Sequence, residues 1–69
     1  MKFKEITTLR IGDTVEYSWS QQGTSYVSTV IAHVNFQGQS GYKVEGRLGR
    51  AILYPDTDLH SFRILERAP

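Results

Sequence analysis

The chain has 69 residues and a formal net charge of +1, with 8 lysines and arginines against 7 aspartates and glutamates. This length allows one domain with a marginal core, and the balanced charge argues against a protein that binds nucleic acid through a strongly basic surface. The chain has no cysteine, which excludes disulfides and thiolate metal sites. It shows neither a bilayer-spanning apolar run nor a signal peptide, so we expect a soluble, cytoplasmic protein without membrane partners.

The first twenty residues predict an arm followed by a strand. Residues 1–10 are expected to form an extended N-terminal arm or a short strand, because their two threonines are poor helix formers. A Gly-Asp pair at 12–13 predicts a turn. Residues 14–20 then alternate between apolar and polar side chains, which is typical of a half-buried strand.

The second predicted strand is a long β-prone run over residues 26–36, which follows a polar loop containing Gly23. All but one of its even-numbered residues are apolar, and we expect this set to face the core. That orientation leaves Val27 and Ile31 on the outer face, where they add apolar surface.

A glycine-bracketed hairpin is predicted over residues 41–55. Its first strand alternates apolar and charged side chains, and Gly46 and Gly49 flank a connection of hairpin length. Its second strand, residues 51–54, contains no polar residue. A strand that is apolar on both faces is unusual in a small protein, because one face should meet water.

This second apolar face is the main indication of function. Successive side chains of a strand point in opposite directions, and we expect the smaller pair, Ala51 and Leu53, to face the core. The other two residues of the strand then lie outside, where a contiguous apolar patch marks an interface with a second copy or with another protein. The predicted interface consists of Ile52, Tyr54, Val27 and Ile31.

The sequence of the last fifteen residues predicts a turn, a strand and a free end. Residues 55–60 are expected to form a single 3₁₀ turn, which Asp56 or Thr57 can cap, and residues 62–66 a closing strand. Residues 67–69 are expected to fray. Because closing a sheet protects its edges, we predict an all-β fold over residues 11–66, a small five-stranded SH3-like barrel with one 3₁₀ turn before the last strand.

Three short motifs resemble those of the plasmid-borne type II dihydrofolate reductases. They occur in the same order and at similar spacing: Gly12-Asp13-x-Val15, Gly41-Tyr42-x-Val44-Glu45 and Tyr54-Pro55. Enzymes of that family are SH3-like barrels that assemble as homotetramers around one central active-site pore. The resemblance extends from about Leu9 to Leu65, and it implies a barrel fold and self-association.

The resemblance fails at the positions that the family uses for catalysis. The family's pore motif is Val-Gln-Ile-Tyr-Pro, and Ile52 stands where that motif has glutamine, while Tyr17 stands where the family has a lysine. An isoleucine cannot hydrogen-bond a ligand, and a neutral tyrosine gives no positive field. We therefore expect a non-enzymatic interaction module without a cofactor, and a type II reductase-like enzyme is the first alternative.

A nucleic-acid-binding barrel is the second alternative. Lys43, Arg47 and Arg50 place positive charge on the hairpin beside Tyr42 and Tyr54, and cations interleaved with aromatic rings can hold a single strand. A solvated hairpin tip is the favoured interpretation, because the acidic residue at position 45 and the nearly neutral chain weaken the field.

A metal site and a peptide groove have little support in the sequence. His33 and His60 have no third ligand at a useful spacing, and the aspartates at 56 and 58 lack the rest of a calcium loop, so we expect no metal. Three aromatic residues could line a peptide groove like that of SH3 domains, although we expect at least two of them in the core. These residues are Tyr17, Trp19 and Tyr26.

Overall fold

The computed structural model describes residues Met1–Pro69 and contains one antiparallel sheet of five strands. The strands are β1 (Thr14–Ser18), β2 (Ser25–Phe36), β3 (Gln39–Gly46), β4 (Gly49–Leu53) and β5 (Ser61–Glu66). Their order is β4-β3-β2-β1-β5, and no pairing joins β4 to β5, so the sheet has two edges. The predicted all-β class with five strands is confirmed.

The core lies on one face of the sheet, and the alternation of the strands supplies most of it. Val15 and Tyr17 of β1 are buried beside Val30 of β2, and Val44 and Leu53 continue the same layer into β3 and β4. The remaining buried apolar residues are Ile6, Leu9, Tyr42, Leu59 and Phe62. No helix in the structure has the length and hydropathy to cross a membrane.

A β-bulge at Ile31 changes the orientation of the second half of β2. Val30 pairs with Val44, but the next pair is Ala32 with Lys43, so one residue of β2 has no partner. An extra residue moves every following side chain to the opposite face. The expectation that even-numbered residues face inward therefore holds for Val30 and fails beyond the bulge, where Phe36 is 63% exposed.

The 3₁₀ helix lies at the N-terminus, over Lys4–Thr8, where the sequence predicts an extended arm or a short strand. That prediction is wrong because the hydroxyls of Thr7 and Thr8 donate to the carbonyls of Lys4 and Glu5, each at 2.7 Å. Such bonds satisfy the threonines within a helical turn. The helix also places Ile6 in the core, where it is fully buried.

The 3₁₀ turn predicted before the last strand is also absent. Pro55 and Asp56 form the middle of a β-turn, in which the Thr57 N–H donates to the Tyr54 carbonyl at 2.9 Å. The Thr57 hydroxyl in turn accepts from the Tyr54 N–H at 2.8 Å. Proline favours the second position of such a turn, and the chain then extends to β5 without another helical bond.

Two of the three residues that the sequence predicts to fray, Arg67 and Ala68, contact the turn before β1. The Ala68 N–H donates to Asp13 Oδ1 at 2.7 Å, and Arg67 Nη1 donates to Asp13 Oδ2 at 3.1 Å. Arg67 also donates to the Thr8 carbonyl at 2.9 Å. The tail is thus held against the turn before β1 by a fully buried carboxylate.

Candidate functional site

An apolar cluster covers the outer face of β3 and β4 around Gly41. A Cβ at this glycine would lie 2.6 Å from Tyr54 Cε1 and 3.2 Å from Ile52 Cγ2. The side chains of Ile52 and Tyr54 therefore lie directly over the bare backbone of β3. Val34 pairs with Gly41, and Ala32 precedes it on the same face, which extends the surface onto β2. We call Ala32, Val34, Gly41, Ile52 and Tyr54 the outer apolar cluster.

The predicted orientation of β4 is confirmed. Leu53 is fully buried and Ala51 packs against the core, while Ile52 is 42% exposed. The strand lies at the edge of the sheet, so one side of its backbone has no strand neighbour. An apolar side chain on an edge strand is accessible both from the face and from the edge.

The four residues of the predicted interface do not form one continuous surface. Val27 is 51% exposed, but the row of paired residues Thr29, Glu45 and Arg50 lies between it and Ile52. Ile31, which is 40% exposed, occupies the unpaired position of the bulge. The structure instead places Ala32 and Val34 on this face, with Val34 opposite Gly41 and Ala32 opposite Lys43, which lies between Ala32 and Ile52. The sequence misses Ala32 and Val34 because the bulge leaves no mark on its apolar pattern.

The basic residues of the hairpin are separated rather than gathered into a patch. Arg50 forms an ion pair with Glu45, its partner across the hairpin. Lys43 lies opposite Ile52 and is partly buried. Arg47 stands at the tip of the turn between β3 and β4, with no acidic partner. One of the three cations is thus neutralised, and the other two lie apart, Lys43 within β3 and Arg47 at the turn, so the positive field is weak.

A cleft of about 520 Å³ opens between the start of β2 and the β3–β4 turn. Its walls are Ser25, Tyr26, Val27, Ser28, Arg47, Leu48 and Gly49. The cleft does not reach the outer apolar cluster, and Arg47 is the only charged residue in its walls.

The three aromatic residues considered for a peptide groove pack on one another. The Tyr17 ring stacks on Tyr26 with centroids 5.5 Å apart, and Trp19 meets Tyr17 edge-on at 5.8 Å. Tyr17 belongs to the core and Tyr26 packs against it, whereas Trp19 is 47% exposed. The expectation that at least two of the three are core residues therefore holds for Tyr17 alone, since Tyr26 is partly buried and also lines the cleft.

The histidines and aspartates considered for metal binding have other neighbours. His33 meets the Tyr42 ring edge-on, with centroids 4.8 Å apart. Asp56 accepts a hydrogen bond from Gln39 Nε2 at 2.8 Å. No three residues among the histidines and acidic side chains lie close enough together to hold a metal ion.

Comparison with known proteins identifies no relative. No protein-family model matches the chain. No curated protein gives a significant match. No solved structure does so either. The resemblance to the type II reductases therefore rests on the short motifs alone, and the geometry of the surface carries the functional argument.

Proposed function

We propose that this chain is a non-enzymatic interaction module that self-associates through the outer apolar cluster. The observation that carries the proposal is the position of Ile52, an aliphatic residue that is 42% exposed on an edge strand and lies beside Tyr54 over Gly41. The half-buried side chains of Ala32, Val34 and Tyr54 extend the apolar surface around it, and a contiguous apolar surface, unlike a single exposed side chain, indicates an interaction site.

The cluster continues toward the end of β2. Phe36 follows Val34 by two residues, so it lies on the same face, and it is 63% exposed. Aromatic residues are enriched in the buried core of protein interfaces, and those that become fully desolvated can contribute much of the binding energy. Cationic Lys43 is the only charged residue that pairs directly with a member of the cluster.

A second copy of the chain fits this surface better than a foreign partner. In a two-fold dimer the same patch serves both subunits, so one surface suffices. The free edge of β4 borders the cluster, and pairing two such edges would satisfy backbone groups that have no strand neighbour in the monomer. Association of two copies thus buries the apolar face and protects the edge in one step.

The same proposal includes an SH3-like architecture for the chain. The long strand β2 pairs with β1 along its first five residues and with β3 from Ser28 to its end. Its bulge lies between the two halves of the sheet, and a bulge bends a strand. This arrangement supports a sheet that curves around the core, although its edge strands do not pair.

The reductase alternative has less support. The two positions that the resemblance places at the pore differ in environment, because Tyr17 is 3% exposed in the core and Ile52 lies on the outer face. Neither offers a charge or an amide to a ligand.

Sedimentation velocity over a wide range of concentration tests the proposal. The expected result is a sedimentation coefficient that rises with concentration, as in a reversible monomer–oligomer equilibrium. A chain that stays monomeric at millimolar concentration would refute self-association.

A further inference from the structure

We propose that the cleft between the start of β2 and the β3–β4 turn binds an extended acidic segment of a partner protein. None of the residues that line the cleft belongs to the outer apolar cluster, so this proposal does not depend on self-association. Three features of the cleft support it: an unpaired stretch of strand, an uncompensated arginine, and exposed apolar walls.

The unpaired stretch is the beginning of β2. This strand pairs with β1 from Ser25 onward, but it pairs with β3 only from Ser28, opposite Gly46. Residues 25–27 therefore have a strand neighbour on one side only. The cleft opens on their other side, where β3 has already turned away into the hairpin. An extended peptide can add its own backbone hydrogen bonds at such a free edge.

The glycine at position 46 shows how closely the two walls approach where pairing begins. A Cβ at Gly46 would lie 2.4 Å from the Val27 carbonyl oxygen and 2.7 Å from Ser28 Oγ. The backbone of β2 thus faces β3 without an intervening side chain at this point. Ser25 and Tyr26, which precede this contact, have no partner on β3, so that side of the strand is free to meet an incoming chain.

The charge of the cleft selects an acidic ligand. Arg50, Arg63 and Arg67 each form an ion pair with an acidic side chain. Arg47 forms none, and it is the only charged residue of the cleft walls. A free guanidinium binds a carboxylate through two parallel N–H donors, which is stronger and more directional than contact with a neutral acceptor.

The exposed apolar residues of the cleft favour a ligand in which aliphatic residues flank the acidic residue. Leu48 is 67% exposed and Val27 is 51% exposed, and both line the cleft together with Tyr26. Side chains of an extended peptide alternate in direction, so an acidic residue that meets Arg47 can be flanked by aliphatic residues that meet these walls. The volume of about 520 Å³ is in the usual range for binding clefts.

A peptide fits better than a nucleic acid. A nucleic-acid strand needs several phosphate contacts for useful affinity at physiological salt, and the cleft offers one cation. The nearest candidate for a second, Arg50, is neutralised by Glu45.

The test uses the full chain, labelled with nitrogen-15, and a capped peptide of alternating valine and glutamate. The expected result is saturable amide shifts that are confined to residues 25–28 and 47–49, with slower hydrogen exchange at residues 25–27. The matching valine–lysine peptide and an oligothymidylate serve as competing ligands. Stronger binding of either one than of the acidic peptide would overturn the proposal, as would shifts that map elsewhere or an absence of saturable shifts.

Two arginine variants provide the matched comparison. Arg47→Ala removes the cation of the cleft, whereas Arg10→Ala removes an exposed arginine that forms no ion pair and lies outside the cleft. Both change the net charge equally. We expect Arg47→Ala to weaken binding of the acidic peptide about tenfold or more and Arg10→Ala to leave it nearly unchanged. Equal effects of the two substitutions would contradict the proposed role of Arg47.

Discussion

Asp13 Oδ1 accepts a hydrogen bond of 2.7 Å from the backbone N–H of Ala68, which lies 55 residues further along the chain. The other carboxylate oxygen accepts from the Arg10 N–H at 3.0 Å and from the Arg67 guanidinium at 3.1 Å. Asp13 is fully buried, so these donors replace the water that would otherwise solvate its carboxylate, although the Arg67 side chain is itself half exposed. The carboxylate therefore joins the turn before β1 to the end of the chain.

Stability should consequently fall in acid. Burial disfavours the charge of Asp13, but hydrogen bonds from Ala68, Arg10 and Arg67 outweigh it and lower the pKa below its usual value. A lowered pKa stabilises the fold above the unfolded pKa, near pH 4, and this contribution is lost as pH falls through the folded pKa. We expect Asp13→Asn to cost about 1–3 kcal/mol at neutral pH, measured by urea unfolding.

The pH dependence of that cost provides the control. Below about pH 4 the difference between Asp13→Asn and the wild type should shrink, because protonation makes the wild-type carboxyl neutral, as the asparagine amide already is. Asp56→Asn changes an exposed carboxylate and should have little effect. A difference between Asp13→Asn and the wild type that is the same at every pH would show that the charge of Asp13 does not stabilise the fold.

How far the sequence predicts this structure depends on whether the signal is local. Alternation correctly predicts five strands and the inward position of Leu53, because both follow from the period of a strand. The bulge at Ile31 is not predictable in the same way, since residues 26–36 carry apolar side chains at both odd-numbered and even-numbered positions. The docking of Arg67 on Asp13 depends on a contact between the two ends of the chain, which no local pattern encodes.

The candidate site is also predictable only where it depends on a local pattern. The sequence predicts Ile52 and Tyr54 on the outer face, but it cannot predict that Val34 joins them, because the register of β2 against β3 decides this. It also cannot predict that Arg50 is neutralised while Arg47 is free. That difference depends on the cross-strand position of Glu45.

Two glycines of β3 should differ in their tolerance of alanine. At Gly46 a Cβ would lie 2.4 Å from a backbone oxygen of the paired strand, which cannot move without disturbing the sheet. At Gly41 it would meet the ring of Tyr54, which can rotate away. We expect Gly46→Ala to lower the free energy of unfolding by about 1–3 kcal/mol, and Gly41→Ala to cost less.

Thermal or urea unfolding of both glycine variants measures this difference. Because Gly41→Ala displaces Tyr54 from the outer apolar cluster, it should also weaken association more than it weakens folding. Equal stability losses at Gly41 and Gly46 would contradict the described contacts.

Nucleic acid should bind weakly or not at all. With Arg50 paired to Glu45, few cations are available for phosphate contact, and salt weakens those that remain. Fluorescence anisotropy with a labelled oligothymidylate at ~150 mM salt should show no tight binding. Tight binding that disappears in the double variant Arg47→Ala with Arg50→Ala would refute this expectation.

Reductase activity should be absent. Ile52 cannot hydrogen-bond a substrate, and Tyr17 is packed in the core beneath Tyr26. The measurement is the absorbance of NADPH in the presence of dihydrofolate and the pure protein. A saturable decrease in that absorbance would establish the enzyme alternative.

The most direct test of the proposed function compares two aspartate substitutions by sedimentation velocity. Ile52→Asp places a charge in the outer apolar cluster, and Leu65→Asp places one on the opposite edge strand at a residue of similar exposure, 44% against 42%. Circular dichroism should show both variants folded, since neither side chain belongs to the core. We predict that Ile52→Asp is monomeric at every concentration and that Leu65→Asp associates like the wild type. If Ile52→Asp associates as the wild type does, or if both substitutions abolish association equally, the outer apolar cluster is not the interface.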